Sequence, residues 1–222
     1  MIYLLRHGQS EWNLLRRTQG QIRHPRLTDL GRRQAALAAE TVAAHSESVG
    51  SRVGSVVTSD LVRAVESARI VAHALGVPLR VDRRWREQGF GRMEGQSYEA
   101  TFAELAAAPT GAGVETAGGE SPGRVADRAL AALVDLDRST STVVVTHGDT
   151  LRHLLGRLVG INLEAGISRL LPNGTVVALH RGTGGRYRVL ECLPPASPLD
   201  PQAGPGSDGA TVNARTPGRP RP

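Results

Sequence analysis

The chain alternates short apolar runs with longer helix-length segments, and this alternation limits its possible folds more than any other feature. Val143-Val144-Val145-Thr146 is its most strand-like run. Residues 2–5, Val53–Thr58 and Leu79–Val81 read as earlier strands, and residues 175–179 and 187–190 as a final pair joined by Gly-rich residues. Thr28 and Asp29 offer N-caps to a helix over about 30–45. Ser59 can cap a helix that runs to Leu75, where Gly76 and Pro78 stop it. Ser121-Pro122 opens a helix to about Arg138, and another spans about 150–159, stopped by Gly160. Strands and helices in alternation predict an α/β fold, a three-layer α/β/α sandwich with a mostly parallel central sheet.

The length of 222 residues suits one domain, expected over 1–193. Residues 194–222 change character: they are rich in Pro, Gly and Ala without apolar periodicity, and a disordered tail is expected there. Aromatics make up only 3% of the chain, so the core must be built from Leu, Val, Ile and Ala. The Lys+Arg total is 27 with no lysine in the sequence, so every one is arginine. That excludes Schiff-base chemistry and favours planar, bidentate capture of phosphate or carboxylate. The net charge of +6 comes without basic runs interleaved with aromatics, so no nucleic-acid partner is expected. No stretch is long and apolar enough to span a membrane, and the N-terminus has no leader pattern; a cytoplasmic location follows as the expectation. Cys192 stands alone, which rules out an internal disulfide, and reads as a buried, inert thiol. Exposed strand edges would leave room for a homodimer.

The reactive residues fall at strand ends. Arg6-His7-Gly8 follows the first strand, Ser59 and Arg63 the second, Glu87 the third after a short loop, and His147-Gly148-Asp149 the run 143–146. In parallel α/β sheets, ligands bind outside the carboxyl ends of the strands. One rim therefore receives two histidines, two arginines and a carboxylate, a set suited to a phosphate monoester. Arg6 and Arg63 would supply forks for its oxygens. His7 would attack phosphorus as a neutral imidazole. His147, as a cation, would stabilise the equatorial oxygens. Glu87 would protonate the leaving alkoxide and then take a proton from water. The helix after His147 would add amide donors and a positive dipole end.

The run Leu5-Arg6-His7-Gly8-Gln9-Ser10-Glu11-Trp12-Asn13 resembles the nucleophile motif of the histidine phosphatase superfamily, which includes the cofactor-dependent phosphoglycerate mutases. Further matches follow in order: Gln19-Gly20, Leu27 to Gly31, Ser59-Asp60-Leu61 with Arg63, Arg86-Glu87 with Glu94-Gly95, Gly118 to Ser121 with Arg128, and Val145 to Gly148. The resemblance covers about 2–190. It implies a phosphate pocket of Arg6, His7, Arg63 and His147, with Glu87 as proton donor. Gln9, Ser10, Asn13, Gln19, Gly20 and the Gly148 backbone would contact the phosphoryl group or the rest of a small phosphorylated metabolite. It implies no metal and no cofactor.

Departures from the family pattern narrow the function. The mutases carry a basic, aromatic segment after the glutamate; here Tyr98 leads through Ala106-Ala107-Ala108 to Gly113 without a lysine. Hydrolysis through a phosphohistidine is therefore expected, with a phosphoglycerate mutase, a phospho-ligand-binding pseudoenzyme and a protein phosphatase as the alternatives. Arg23-His24-Pro25-Arg26, with Arg16 and Arg17 nearby, would form a positive rim for a second anionic group. Met93 stands where the family often has tryptophan. Glu94 reads as structural, Arg128 as a brace for Glu120, His153 as a packed helix residue and His24 as solvated. Trp12 and Trp85 read as packing residues, and His45, His73 and His180 as surface or element-end residues.

Overall fold

The structure is a computed structural model that describes residues 1–108, 113–159, 171–182 and 186–193. The expected tail over 194–222, the stop at Gly160 and the Gly-rich joint at 183–185 lie outside the described residues.

Six strands form one sheet in the order β3-β2-β4-β1-β5-β6. These are β1 (Ile2–Arg6), β2 (Val53–Thr58), β3 (Leu79–Val81), β4 (Ser141–Thr146), β5 (Val176–Arg181) and β6 (Tyr187–Leu193). β3, β2, β4 and β1 run parallel, and β5 and β6 add antiparallel to the β1 edge. The sheet is thus mostly parallel, with an antiparallel hairpin on one side. Every residue of β4 is buried, as a central strand covered on both faces must be.

Successive side chains of a strand point to opposite faces, and the core divides accordingly. Ile2 and Leu4 of β1 and Val144 of β4 pack with Leu133 of α6 (Pro122–Val134) and with Leu151 and Leu154 of α7 (Gly148–Val159). Tyr3, Leu5, Val143 and Val145 face the other way. They pack on Ala38, Ala39 and Val42 of α2 (Asp29–Ser48) and on Ala64, Ala68 and Val71 of α3 (Val62–Leu75). A chain poor in aromatics achieves this with alanines, which let helices lie close to the sheet. The result is the expected three-layer sandwich.

Three short helices were not anticipated: α1 (Glu11–Leu14), α4 (Tyr98–Ala107) and α5 (Gly113–Thr116). Two helix boundaries also moved. Ser59 does not cap α3, whose N-cap is Leu61 without a side-chain bond; the Ser59 hydroxyl is turned toward His147 instead. The helix opened by Pro122 stops at Val134, short of Arg138. Arg181 of β5 donates to the carbonyls of Leu133 (3.0 Å) and Leu136 (3.1 Å), satisfying acceptors that a longer helix would need. Cys192 is exposed on edge strand β6, not buried. His45 lies in the last turn of α2, an element-end residue as expected, with its Nδ1 3.0 Å from the Tyr3 hydroxyl. Among the described residues, no helix is long and apolar enough to cross a membrane.

Two glycines fix the loop after β1. A Cβ on Gly8 would lie 2.0 Å from the Gly31 carbonyl oxygen, and a Cβ on Gly31 would lie 2.0 Å from that of Gln9. The loop therefore crosses the start of α2 backbone to backbone. Thr28 N–H donates to the Gln9 carbonyl (2.9 Å), and Gln9 N–H donates to Gln34 Oε1 (2.8 Å). Gly31→Ala should force this crossing apart. The expected result is a loss of about 1–3 kcal/mol in stability, read from the urea midpoint at unchanged slope, together with a loss of activity.

Candidate active site

β1 and β4 are parallel neighbours in the register Arg6↔Thr146, so the residues that follow them emerge side by side. His7 N–H donates to the Thr146 carbonyl at 3.0 Å. The His7 and His147 rings lie 5.1 Å apart, inclined at 62°. His7 is only 2% exposed, and its Nδ1 lies 2.7 Å from the Gly8 carbonyl oxygen. A carbonyl can only accept, so Nδ1 carries the proton and Nε2 holds a free lone pair. Burial, then the Arg63 and Arg6 guanidinium groups, hold this imidazole well below its ordinary pKa and therefore neutral.

Arg63 leaves α3 with no exposed surface. Its Nη1 donates to the Ile22 carbonyl (2.9 Å) and its Nη2 to that of Gly20 (2.8 Å). Burial lowers its pKa to about 10, which leaves it charged at neutral pH. Arg6 Nη1 donates to the Leu171 carbonyl (2.6 Å). The buried Nε–H groups of both arginines have no partner among the described residues. A Cβ on Gly148 would come within 3.2 Å of Arg6 Cζ, so the glycine gives the guanidinium its place against the start of α7.

His147 requires a correction. It is fully buried beside Arg63 and His7, and these surroundings push its pKa well below the ordinary value, so it is a neutral imidazole, not a cation. Ser59 Oγ accepts from Leu61 N–H (3.3 Å) and lies 2.7 Å from His147 Nε2. A hydroxyl can accept twice and donate once, so this contact fits either tautomer of His147. Its Nδ1 is buried without a partner among the described residues.

Glu87 lies between β3 and the start of α7. Its Oε1 accepts from the N–H groups of Gln88 (2.9 Å) and Thr150 (3.0 Å), and its Oε2 from Asp149 N–H (3.2 Å). Two amides of the first turn of α7, those of Asp149 and Thr150, are thus taken by this carboxyl group, which leaves the Gly148 amide outside its contacts. Burial and nearby Asp149 push its pKa up and outweigh the amide donors, which act in the opposite direction.

The other expected contacts divide. Ser10 has no exposed surface and forms a reciprocal cap of α1 with Asn13. Gln9 is packed, its Oε1 accepting from the Thr28 hydroxyl at 2.9 Å. Both hold the loop in place and have little surface to offer a substrate. Gln19 lies within 2.7 Å of Ser10 Oγ, and Gly20 takes φ +47 under Arg63. Asn13 reaches the Tyr98 hydroxyl at 3.4 Å. Sequence reasoning missed Ser67, whose Oγ accepts from Gly8 N–H (3.1 Å), and Asn173, whose Nδ2 donates to the His7 carbonyl (2.9 Å). Asn173-Gly174 is legible as a turn, but nothing local marks its reach to His7. Arg128 does pair with Glu120 (2.9 Å), and Glu94 accepts from Gln21 and Phe90 N–H groups, both as expected. His153 packs against Gln88, its Nε2 3.0 Å from Oε1. Trp85 is fully buried; Trp12 is half-buried and stands edge-on to exposed His24 at 5.2 Å. On the rim, Arg16 is bound to Glu99 (2.8 Å) and Arg26 lies 3.6 Å from Glu66, while exposed Arg23 has no ion pair among the described residues.

This fold and site place the protein in a family. The family model described as "Histidine phosphatase superfamily (branch 1)" matches residues 2–192, and the chain belongs to that superfamily. A relative named probable phosphoglycerate mutase GpmB, from Photorhabdus laumondii, is 34% identical over 175 residues, 74% of this chain and 77% of its own. Among solved structures, a mycobacterial glucosyl-3-phosphoglycerate phosphatase superposes with a TM-score of 0.68 at 28% identity, covering 88% of this chain and 98% of that one. Bacillus stearothermophilus YhfR gives 0.68 at 28%, covering 85% and 94%. Together these support a phosphatase or phosphotransferase.

The two buried histidines make stability depend on pH. Their folded pKa values lie below the ordinary 6.5, so their contribution is intact above pH 6.5 and is lost as pH falls through the folded values. Glu87, raised above 4.5, has the opposite sign: its contribution is present at low pH and is lost as pH rises through its folded value. With two protons against one, unfolding free energy should fall below pH 6.5 by up to about 1.4 kcal/mol per pH unit per histidine, partly offset by Glu87. Urea titrations from pH 7.5 to 5 check this. His147→Gln should flatten the slope, and an already flat wild-type profile would contradict neutral burial.

Proposed function

We propose that this protein is a metal-independent phosphomonoesterase that hydrolyses small phosphorylated metabolites through a phosphohistidine. The observation that carries this reading is His7: a buried neutral imidazole with Nδ1 fixed by Gly8, beside Arg6, Arg63 and His147. In the first step Nε2 of His7 bonds to phosphorus as the ester P–O bond breaks, and protonated Glu87 gives its proton to the leaving alkoxide. Arg6, Arg63 and His147, in the neutral tautomer protonated on its unpartnered Nδ1, hold the equatorial oxygens. In the second step water attacks the phosphohistidine, the Glu87 carboxylate takes its proton, and the P–N bond breaks. His7 is again neutral and inorganic phosphate departs. A cytoplasmic site of action, without a nucleic-acid or membrane partner, fits this chemistry.

The test is turnover of an aryl phosphate in excess chelator. Wild type should stay active, His7→Ala should lose at least about 10³-fold, and acid-labile phosphate should be trapped on wild type only. Activity that needs metal or survives in His7→Ala would sink the mechanism.

Mutase transfer is the second reading, favoured by the name of the Photorhabdus relative. It is disfavoured by α4, which carries Glu99 and Glu104 and no basic residue to retain a bisphosphate. A coupled mutase assay with a bisphosphate primer separates the two.

The phosphate ester would carry a second anionic group such as a carboxylate, which Arg23 would meet. Its neighbour Ile22 accepts from Arg63 through its carbonyl, so Arg23 follows directly on the phosphate pocket. Arg23→Glu should lower kcat/KM for carboxylated phosphate esters about tenfold more than for neutral ones, mainly through KM. An unchanged substrate profile would remove Arg23 from recognition.

A further inference from the structure

The geometry points to Gln21 as a positioning residue that holds the proton donor Glu87 in register with the phosphate-gripping Arg63. This rests on the reading of Glu87 as the acid.

The segment 20–22 works in two directions. The carbonyls of Gly20 and Ile22 both accept from Arg63, at 2.8 Å and 2.9 Å. Between them, the Gln21 side chain reaches the acid. Its Nε2 donates to the Glu87 carbonyl (3.1 Å) and to Glu120 Oε2 (2.9 Å), and its Oε1 accepts from Arg86 Nη1 (3.3 Å). Gln21 N–H in turn donates to Glu94 Oε1 at 2.9 Å.

Glu87 has a second support. Arg128 donates to Glu120 through Nε and Nη2, to the carbonyls of Arg84 (2.8 Å) and Arg86 (2.6 Å) through Nη1, and to that of Glu87 (2.9 Å) through Nη2. These contacts use all five guanidinium donors. Arg128 belongs to α6, so this support ties the acid to the sheet framework. Gln21 alone among these contacts ties it to the loop that holds Arg63. Phosphorus and the leaving oxygen are directly bonded, so the groups serving them must keep a fixed separation. A misplacement of about 1 Å costs on the order of 10²-fold.

The test uses leaving-group dependence. As phosphorus bonds to His7, an aryl phosphate releases a phenolate that is stable without a proton, whereas an alkyl phosphate releases an alkoxide that needs the proton of Glu87. Phosphoenzyme formation is measured by rapid quench for both esters. Gln21→Leu should slow the alkyl ester at least about tenfold more than the aryl ester. Gln21→Asn, which keeps the amide but shortens its reach, should show the same bias. In a Glu87→Gln background, Gln21→Leu should have no further effect on the alkyl ester, as expected of a residue that acts through Glu87. Equal slowing of both esters, or additive effects in the double variant, would overturn the proposal. If Glu87→Gln itself slows both esters equally, the assignment of the acid fails, and that outcome is separate from a failure of Gln21.

Discussion

Arg63 is a full positive charge with no exposed surface, and much of the site is arranged around that burden. A buried guanidinium must be hydrogen-bonded or it is very costly. Here two main-chain carbonyls, of Gly20 and Ile22, meet it. To present both, the chain bends at Gly20, where a Cβ would lie 2.1 Å from Glu94 Oε1. Glu94 then secures the bend through Gln21 N–H. The arginine thus dictates the shape of the loop, and the loop carries side chains to the acid and to the rim. The same charge acts on the histidines, since it is among the causes that keep His7 and His147 neutral.

This sets the electrostatic state of the free site. Arginine stays protonated, both imidazoles are neutral, and Glu87 is biased toward its protonated form. Two positive charges remain, which match a phosphate monoester dianion. A cationic His147 would have added a third charge in a buried space already holding two, and its surroundings disfavour that. A neutral imidazole still carries one N–H donor, at no cost in buried charge.

The strands and most of the reactive residues were legible because they depend on local signals. An apolar run followed by Arg-His-Gly or His-Gly-Asp marks both a strand and the rim where it ends. Ser59 shows where local reading fails: a serine ahead of a helix looks like a cap, yet its hydroxyl serves a histidine 88 positions away. Asn173 and Gln21 are similar, since only the folded topology brings them to His7 and Glu87. At the start of α7 the amides of Asp149 and Thr150 serve the Glu87 carboxyl group, an acceptor that the local sequence does not show. Ser10 and Gln9, expected beside a substrate, also hold the loop through contacts with Asn13, Gln19 and Thr28 that spacing does not reveal. Residue type and spacing pointed to the superfamily. Assigning each hydrogen bond required knowing which donors were already taken.

In the proposed cycle Glu87 must first give up a proton and then take one back, so neither form can be too stable. Burial and Asp149 favour the protonated form, while the amides of Gln88, Asp149 and Thr150 favour the carboxylate. These opposed influences meet on one side chain. An acid in an apolar pocket without those amides would favour its protonated form so strongly that the carboxylate, the base of the second step, would be costly to leave without a donor. A carboxylate at an exposed helix N-terminus would never be protonated near neutral pH. Placing Glu87 inside the protein but against the first turn of α7 sets these two influences against each other, and so in the proposed cycle the helix aids the reaction through the acid.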